Sequence, residues 1–460
     1  MRILFIENKH VTRTWEAVAP LLIAAGDEVH WLVQNARWTP RIGTVHQIPI
    51  PRRRDLRNGE AERFERIRNQ DRGINYFGGD DRHYSYYAEQ IAAILDQVSP
   101  DIVIGESTLF HEQLSIEGAL DRKIPYLFPT SVRYPVNRIG FLAADSQKPV
   151  FGSGDVLPRA EVDSLLEIYA RRGQVPLFYT ALGETRAVHR ALGMARALAK
   201  GLTATRSRFA GERFNTPSPV QKAKIERRKN ILMKEWDRIA ARKTVSGRTK
   251  VLFPLQMLPE STLECWGYEW RDQCDAIERL VAASDDQTVF LLKTNPVPRY
   301  EITARLLDLV ARNPRVLPLP SATKMDEVFW DADLIATVTG TVAIEALLTG
   351  KPFVTLAYSL ATAFAPGKTL IRPEELPAIV AEIRAGTWSV AGESERRAFL
   401  EHQIAESHKA VMGDVYYFPP VLQPANLRAL AGAYDHVRRA VREGRAWPEF
   451  NKVLGRDQPA

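Results

Sequence analysis

Short apolar runs alternate with amphipathic segments in the first half of the chain. The runs Arg2–Ile6 and Glu28–Val33 flank a segment with helical periodicity. Two more apolar runs, IVIGE (102–106) and YLFPTS (126–131), follow a helical pattern over 84–97. Strands that alternate with helices in this way predict a parallel, doubly wound α/β sheet.

The same alternation begins again near residue 250. Its apolar runs are VLFPLQ (251–256), VFLLKTNP (289–296), VLPLP (316–320), LIATVT (334–339) and FVTLA (353–357). The intervening stretch is strongly basic and helix-prone, and a further helical pattern comes late in the chain, over 423–446. We therefore predict a Rossmann-like N-terminal domain (1–225), a basic helical linker (226–248), a Rossmann-like C-terminal domain (249–415) and a helical tail (416–460).

Composition places the chain among globular proteins, since 45% of its residues are hydrophobic and 25% are charged. A length of 460 residues also favours two domains over one core. Lys plus Arg exceed Asp plus Glu by 62 − 55 = 7, a mild excess that suits anionic small molecules or an anionic membrane face, and equally a solvated surface. Nucleic acid is not indicated as a partner.

Single features of the sequence argue against metalloproteins, disulfide-rich proteins, nicotinamide-dependent enzymes and membrane proteins. The only cysteines, Cys265 and Cys274, form no CxxC motif, and the histidines lack metal-ligand spacing, so we expect no metal site and no disulfide framework. The first strand is followed by a loop without glycine (7–12), which disfavours a nicotinamide cofactor. The sequence shows neither a signal-peptide pattern nor an 18-residue apolar run, so we expect a cytoplasmic protein.

One stretch, TVTGTVAIEALLTGKP (337–352), carries a single acid in an apolar helix. A strand ends near Thr339, Gly340 permits a tight turn, and Thr341 begins a helix whose free N–H groups can hold an anion. Glu345 lies one turn further along the same helix face, where it can accept hydrogen bonds from ribose hydroxyls. The alternative is an acid that the helix dipole favours near the N-terminus.

Two more loops offer polar groups at strand ends. After the run that begins at Val251, the loop FPLQMLPEST presents Gln256, Glu260, Ser261 and Thr262. After the next run, Lys293 could neutralise a phosphate and Asn295 could donate a hydrogen bond to one. A plain surface turn and a solvated lysine are the alternatives. Carboxyl ends of parallel strands meet at one edge of a sheet, so the three loops are expected to lie together.

These loops resemble those of bacterial capsule and surface-polysaccharide glycosyltransferases of GT-B fold, which include the Kdo transferases. The matching pieces are FPLQMLPEST, KTNP and GTVAIEALLTGKP, so the resemblance covers roughly residues 250–357. It implies two Rossmann-like domains with parallel sheets facing a cleft, and a C-terminal helix that can cross back. It also implies that Gln256, Glu260, Ser261, Thr262, Lys293, Asn295, Thr339, Gly340, Thr341 and Glu345 bind a nucleotide-sugar donor.

The implied activity is transfer of a sugar, Kdo or a related acidic sugar, from a CMP- or UDP-linked donor to a capsule or lipopolysaccharide glycan. The donor is then a substrate, no cofactor is needed, and the N-terminal domain binds a glycan or glycolipid acceptor. One departure concerns Asn295, which stands where the family pattern has histidine and cannot take a positive charge. Peripheral contact with the inner membrane face is a further expectation, and PRRRDLR (51–57) is its candidate.

The catalytic acid or base is expected from the N-terminal domain. Glu106 at the end of IVIGE is the first candidate, and Glu7 at the end of the first strand is the second. The last matching element is also similar to that of UDP-N-acetylglucosamine 2-epimerases, in which its glutamate binds the nucleotide ribose. A sugar-nucleotide 2-epimerase and a non-catalytic glycan-binding or export component therefore stay open as alternatives.

Overall fold

The structure of the protein is a computed structural model that describes most of the chain. The described residues are 1–58, 60, 62–174, 205–206, 208–240, 248–259, 261–295, 300–366, 369–413, 415–416 and 418–455. The chain divides into two compact units. The first unit comprises residues 1–157, 175–221 and 402–460, and the second comprises 158–174 and 222–401.

Strands alternate with helices through both units. The strands are β1 (Arg2–Ile6), β2 (Glu28–Val33), β3 (Thr44–Gln47), β4 (Ile102–Ile104), β5 (Tyr126–Val132), β6 (Arg138–Ala143), β7 (Pro149–Val150), β8 (Thr249–Pro254), β9 (Thr288–Lys293), β10 (Val316–Pro318), β11 (Leu334–Thr337), β12 (Phe353–Thr355) and β13 (His408–Lys409). The helices are α1 (Val11–Ala24), α2 (Glu65–Gln70), α3 (Arg72–Phe77), α4 (Tyr84–Val98), α5 (Phe110–Asp121), α6 (Arg159–Ala170), α7 (Pro219–Ala240), α8 (Ser261–Glu264), α9 (Gln273–Ala283), α10 (Ala304–Arg312), α11 (Met325–Phe329), α12 (Val342–Thr349), α13 (Leu376–Ala385), α14 (Glu393–Ala405), α15 (Pro424–Arg442) and α16 (Ala446–Leu454).

The sheet of the second unit is entirely parallel, with the order β10-β9-β8-β11-β12. The parallel part of the first unit's sheet has the equivalent order, β3-β2-β1-β4-β5. Antiparallel strands β6, β7 and β13 extend it at the β5 side. The predicted α/β class with two parallel, Rossmann-like sheets is therefore confirmed.

In both sheets the strand order reverses between the first and the fourth strand of the unit. In the first unit these strands are β1 and β4, which are direct neighbours, and in the second they are β8 and β11. The loops that leave such a pair diverge to opposite sides of the sheet, which opens a crevice at the carboxyl ends of the strands. The loops after these four strands are therefore the first place to search for a site.

The C-terminal helix α15 returns to the first unit, as predicted. Its Tyr434 ring is completely buried and packs against Trp15 and Phe141, with ring centroids 6.1 and 5.2 Å apart. Arg438, one turn later, forms a buried ion pair with Asp27 at 2.8 Å. Because these contacts lie in the aromatic core around β1, the tail belongs to the first unit's core.

The compact units depart from the predicted boundaries at several further places: residues 222–240 belong to the second unit, and residues 402–413 belong to the first. Residues 158–174, which include α6, belong to the second unit, where α6 packs on α12 and Asp163 pairs with Arg397. Within the predicted linker, residues 226–240 continue α7, whose buried Trp236 donates a hydrogen bond to the Leu319 carbonyl at 2.8 Å. Residues 241–247 of that linker lie outside the described residues.

Candidate functional site

The loops after β8 and β11 are joined by the side chain of Gln256. Its Nε2 donates to Thr339 Oγ1 at 3.0 Å, and its Oε1 accepts from the Thr339 N–H at 2.9 Å. The Gln256 backbone is held in turn by Gln273, which accepts from its N–H and donates to its carbonyl, both at 2.8 Å. The two predicted loops do meet, and Gln256 and Thr339 form the contact between them.

Gly340 lies close to the side chain of Thr337. A Cβ atom at this position would lie 2.6 Å from Thr337 Oγ1, and the Gly340 N–H donates to the same oxygen at 3.1 Å. The sequence argument gave the glycine a role in a tight turn, and the structure supplies the steric reason. The backbone then continues through Thr341 into α12.

The beginning of α12 offers free amides to a ligand. The N–H groups of Ala343, Ile344 and Glu345 bond to the carbonyls of Gly340 and Thr341. Within the described part of the chain, the amides of Thr341 and Val342 have no acceptor. Two free donors at a helix N-terminus, at the carboxyl edge of a parallel sheet, are suited to an anion.

Glu345 is held by an arginine that the sequence argument did not consider. Arg172 Nη2 donates to Glu345 Oε2 at 2.6 Å, and both side chains are largely buried, at 6% and 10% exposure. The helix-dipole alternative alone does not account for this arrangement, because the carboxylate has a specific cationic partner. The ribose-binding role of Glu345 stays a prediction.

Lys293 and Asn295 follow β9 at the same edge of the sheet. The Lys293 side chain is buried, and its Nζ donates to the Thr294 carbonyl at 2.9 Å. Burial lowers the pKa of Lys293, while the charge of Glu327 opposes that shift. Asn295 is half-buried. Glu260 lies outside the described residues, as do the side chains of Ser261 and Thr262 at the start of α8.

A second cluster lies at the crevice of the first unit, after β1 and β4. Asn8 Nδ2 donates to Glu106 Oε2 at 3.0 Å and to Glu112 Oε1 at 2.7 Å, so one amide group bridges two carboxyl groups. Burial, together with the neighbouring charge of Glu112, raises the pKa of Glu106 to about 8. Glu106 is therefore poised to exchange a proton near neutral pH.

Several hydrogen bonds stabilise the carboxylate of Glu112. Its Oε2 accepts from the Leu109 N–H at 2.8 Å and from the N–H and hydroxyl of Thr108, at 2.9 and 3.2 Å, so the carboxylate caps α5. Burial raises the pKa of Glu112 as well, but these hydrogen bonds and the one from Asn8 favour its charged form. These hydrogen bonds therefore favour the charged form on Glu112 over the charged form on Glu106.

Glu7 has a different environment from Glu106. Its side chain is buried, Oε1 accepts from the Lys9 N–H at 2.7 Å, and Oε2 accepts from the Asn35 N–H at 2.9 Å. Both oxygens thus fix the loops after β1 and β2. This use of the carboxylate favours Glu106 over Glu7 as the group that transfers a proton.

The sequence argument missed Asn8, Glu112 and Arg172. A signal existed for Glu112, which stands at the third position of α5, where an acid can cap the helix. Asn8 follows β1, but nothing local shows that its amide bridges two distant acids. Arg172 lies 173 residues from its partner and carries no local signal.

Two further properties bear on the site. The described residues contain no group of three or more His, Cys, Asp or Glu side chains arranged to hold a metal ion. None of the helices in the described ranges combines the length and hydropathy that a membrane crossing needs.

No protein-family model matches the chain, and no curated protein matches it significantly. Among solved structures, the chain is similar to Thermosulfurimonas dismutans KpsC, a beta Kdo 2,7 transferase, at 9% identity over 90% of this chain and 94% of that one, with a TM-score of 0.37. It is similar to Acinetobacter baumannii MurG at 11% identity over 94% and 98%, with a TM-score of 0.28. A UDP-GlcNAc 2-epimerase from Neisseria meningitidis, bound to UDP-GlcNAc, aligns at 12% identity over 96% and 100%, with a TM-score of 0.24. Likenesses this distant assign no function.

Proposed function

We propose that the chain is a glycosyltransferase that takes a sugar from a nucleotide donor and transfers it to a glycan or glycolipid hydroxyl. The observation that carries the proposal is the junction of the loops after β8 and β11. There Gln256 fixes Thr339, the free amides of Thr341 and Val342 follow, and Glu345 lies one turn further on. The resemblance of FPLQMLPEST and GTVAIEALLTGKP to donor-site elements concerns the same two loops.

In this proposal the second unit binds the donor. The amides at the start of α12 and the Lys293 ammonium stabilise the negative charge that develops on the departing phosphate. The carboxylate of Glu345 accepts hydrogen bonds from the ribose hydroxyls. Ser261, Thr262 and Glu260 complete the donor-binding set that the sequence predicts. The sugar is Kdo or a related acidic sugar, and Asn295 contacts it as a neutral hydrogen-bonding group.

The first unit supplies the base. Glu106 removes the proton from the acceptor hydroxyl, the acceptor oxygen forms a bond to the anomeric carbon, and the bond from that carbon to the phosphate oxygen breaks. The nucleotide leaves with the bonding electron pair. A pKa near 8 suits this step, because a base works best when its pKa lies close to the working pH.

A thermal-shift experiment tests nucleotide binding directly. The purified protein is heated with CDP, CMP, UDP or GDP, and binding to the folded state raises the melting temperature. We expect a cytidine or uridine nucleotide to stabilise the protein. If none of the four does, the proposed donor site is wrong.

One observation favours a second candidate, a sugar-nucleotide 2-epimerase. Such an enzyme needs several acids in its N-terminal domain, and Glu106 and Glu112 are two carboxyl groups joined by one amide. The two candidate activities differ in whether the reaction needs an acceptor. Conversion of a nucleotide sugar in the absence of any acceptor, without release of free nucleotide, would favour the epimerase.

Peripheral membrane contact belongs to the same proposal. Arg52, Arg53 and Arg54 are exposed side by side in the first unit, as the predicted PRRRDLR loop requires. A cluster of this kind is attracted to anionic lipid by about 1 kcal/mol per residue at the surface. Co-sedimentation with vesicles of anionic or neutral phospholipid, at low and high salt, tests the contact.

A further inference from the structure

The side chain of Arg172 links two helices of the second unit through two acids. Besides Glu345 on α12, it reaches Asp326 on α11, with Nη1 and Oδ1 2.6 Å apart. The guanidinium carbon also lies 4.4 Å from the centroid of the Phe329 ring, whose side chain is fully buried. A planar group that packs on a ring, donates one hydrogen bond and forms a second ion pair has little freedom to rotate.

The backbone at Arg172 is held as firmly as the side chain. The residue has φ of 54°, in the left-handed region that favours glycine. Its N–H donates to the Tyr169 carbonyl at 2.9 Å, and the N–H of Gly173 donates to the Ile168 carbonyl at 2.8 Å. These two bonds form a Schellman motif at the end of α6, in which Arg172 occupies the position where glycine is usual.

An arginine at this position has an energetic cost that glycine would avoid. Left-handed backbone in a residue with a Cβ is strained, and strain of this kind is commonly found where a side chain serves a site. A buried ion pair is also a weak source of stability, because desolvation of the two charges offsets their attraction. Stability of the fold therefore does not explain why an arginine is present here. The orientation that Arg172 imposes on the Glu345 carboxylate does.

We propose that Arg172 is a positioning residue, which fixes the Glu345 carboxylate in the orientation that accepts hydrogen bonds from the ribose of a bound nucleotide. This inference rests on the ribose role given to Glu345 in the proposed function. A carboxylate offers about four acceptor positions, more than Arg172 uses. Loss of the guanidinium removes one fixed anchor of the carboxylate, and ordering the carboxylate again on binding reduces affinity.

The test measures preference for ribose and not affinity alone. Dissociation constants of UDP and CDP are compared with those of their 2′,3′-dideoxy analogues, which keep the base and the phosphates. The variants are Arg172→Gly, Arg172→Gln and Glu345→Gln, with Arg171→Gln as the matched control, because Arg171 is the exposed neighbour. Glycine adopts the left-handed backbone without strain, so Arg172→Gly is expected to keep the end of α6.

We expect both Arg172 variants to reduce the preference for the ribonucleotide about tenfold, as Glu345→Gln does, while affinity for the dideoxy analogue stays unchanged. Arg172→Gly combined with Glu345→Gln should lose no more than Glu345→Gln alone. A loss that is equal for ribo and dideoxy ligands, or no loss at all, would show that Arg172 only supports the fold. If Arg172→Gly does not fold, Arg172→Lys decides, since lysine keeps the charge but cannot fork between two acids.

The two proposals fail in different ways. If the wild-type protein binds neither nucleotide, the proposed function is wrong and this inference falls with it. If the wild type binds but Glu345→Gln keeps the full ribose preference, the ribose role of Glu345 is wrong although the donor site stands. If Glu345→Gln loses the preference and the Arg172 variants keep it, only the positioning role is wrong.

Discussion

Asn8 and Glu106 are joined by a 3.0 Å hydrogen bond across the point where strand order reverses in the first unit. The second unit has a counterpart at its own reversal point, where Gln256 donates to Thr339, also at 3.0 Å. In each unit an amide side chain after the first strand holds the loop after the fourth. The amide holds an ionisable carboxyl group in one unit and a turn into a helix N-terminus in the other. The proposed function accordingly assigns proton transfer to the first unit and anion binding to the second.

Replacement of Gln256 tests the junction of the two loops that the proposal assigns to the donor. Gln256→Ala removes both bonds to Thr339 and leaves a buried N–H without an acceptor, which costs about 1–3 kcal/mol. We expect the free energy of unfolding in urea to fall by that amount and nucleotide affinity to fall with it. Gln97→Ala, at an exposed position of α4, serves as control and should change neither. If Gln256→Ala binds nucleotide as tightly as the wild type, the contact between Gln256 and Thr339 is not part of the donor site.

Replacement of Gly340 tests the approach to α12. Because a Cβ would lie 2.6 Å from Thr337 Oγ1, Gly340→Ala should displace the turn and reduce nucleotide affinity more than tenfold. Gly432→Ala is the matched control, since this helical glycine has no atom within 4 Å of the added Cβ. The control should be neutral or stabilising by up to about 1 kcal/mol. Calorimetric titration measures the nucleotide affinity of both variants. A loss in Gly340→Ala alone indicates the steric effect at Thr337, whereas an equal loss in both indicates an effect of any glycine replacement.

The raised pKa of Glu106 predicts a pH dependence of stability. Between the ordinary carboxyl value of 4.5 and about 8, the folded state keeps a proton that the unfolded state releases. The free energy of unfolding should therefore fall as pH rises through this range, by up to about 1.4 kcal/mol per pH unit, and level off above it. Glu106→Gln should remove that slope. Glu62→Gln, a change at an exposed acid of the same unit, should leave the slope intact.

The same variant tests the proposed chemistry. Glu106→Gln should abolish transfer while leaving nucleotide binding unchanged, because the proposed donor site lies in the second unit. In the wild type, kcat/KM should rise with pH through an apparent pKa near 8, as the base loses its proton. Substantial turnover by Glu106→Gln would exclude Glu106 as the base. Glu112 would then be the next candidate for that role.

The choice of substitution at Glu345 matters for its interpretation. Glu345→Ala leaves the buried guanidinium of Arg172 with Asp326, whose side chain is 68% exposed, as its remaining acidic partner. We expect this variant to lose about 1–3 kcal/mol of stability, so that weaker binding could reflect the fold. Glu345→Gln keeps a hydrogen-bond acceptor for Arg172 and should cost less. Chemical unfolding of both variants, followed by nucleotide titration of the folded ones, separates the two effects.

Much of the architecture could be predicted from the sequence. Apolar runs such as Leu334–Thr337 encode buried parallel strands locally, and the polar residues that follow them were expected to meet at one edge. The contact between Gln256 and Thr339 agrees with that expectation. The return of α15 could be anticipated only through the family resemblance, because its partner Trp15 lies far away in the chain.

The contacts that define the candidate site could not be predicted in this way. The pairing of Arg172 with Glu345, and the bridging of Glu106 and Glu112 by Asn8, each join residues about a hundred positions apart or more. Such contacts depend on the folded arrangement and leave no periodic pattern in the sequence. The left-handed conformation of Arg172 is equally invisible, since an arginine there contradicts local preference.

The position of Tyr434 in the aromatic core has a consequence for synthesis. The first unit takes residues 402–460 into its fold, so its core around Trp15 can be completed only after the whole second unit has been translated. The usual order, in which the N-terminal domain of a nascent chain finishes folding first, is therefore reversed here. Until Tyr434 leaves the ribosome, the surface that it covers stays open to solvent and to chaperones.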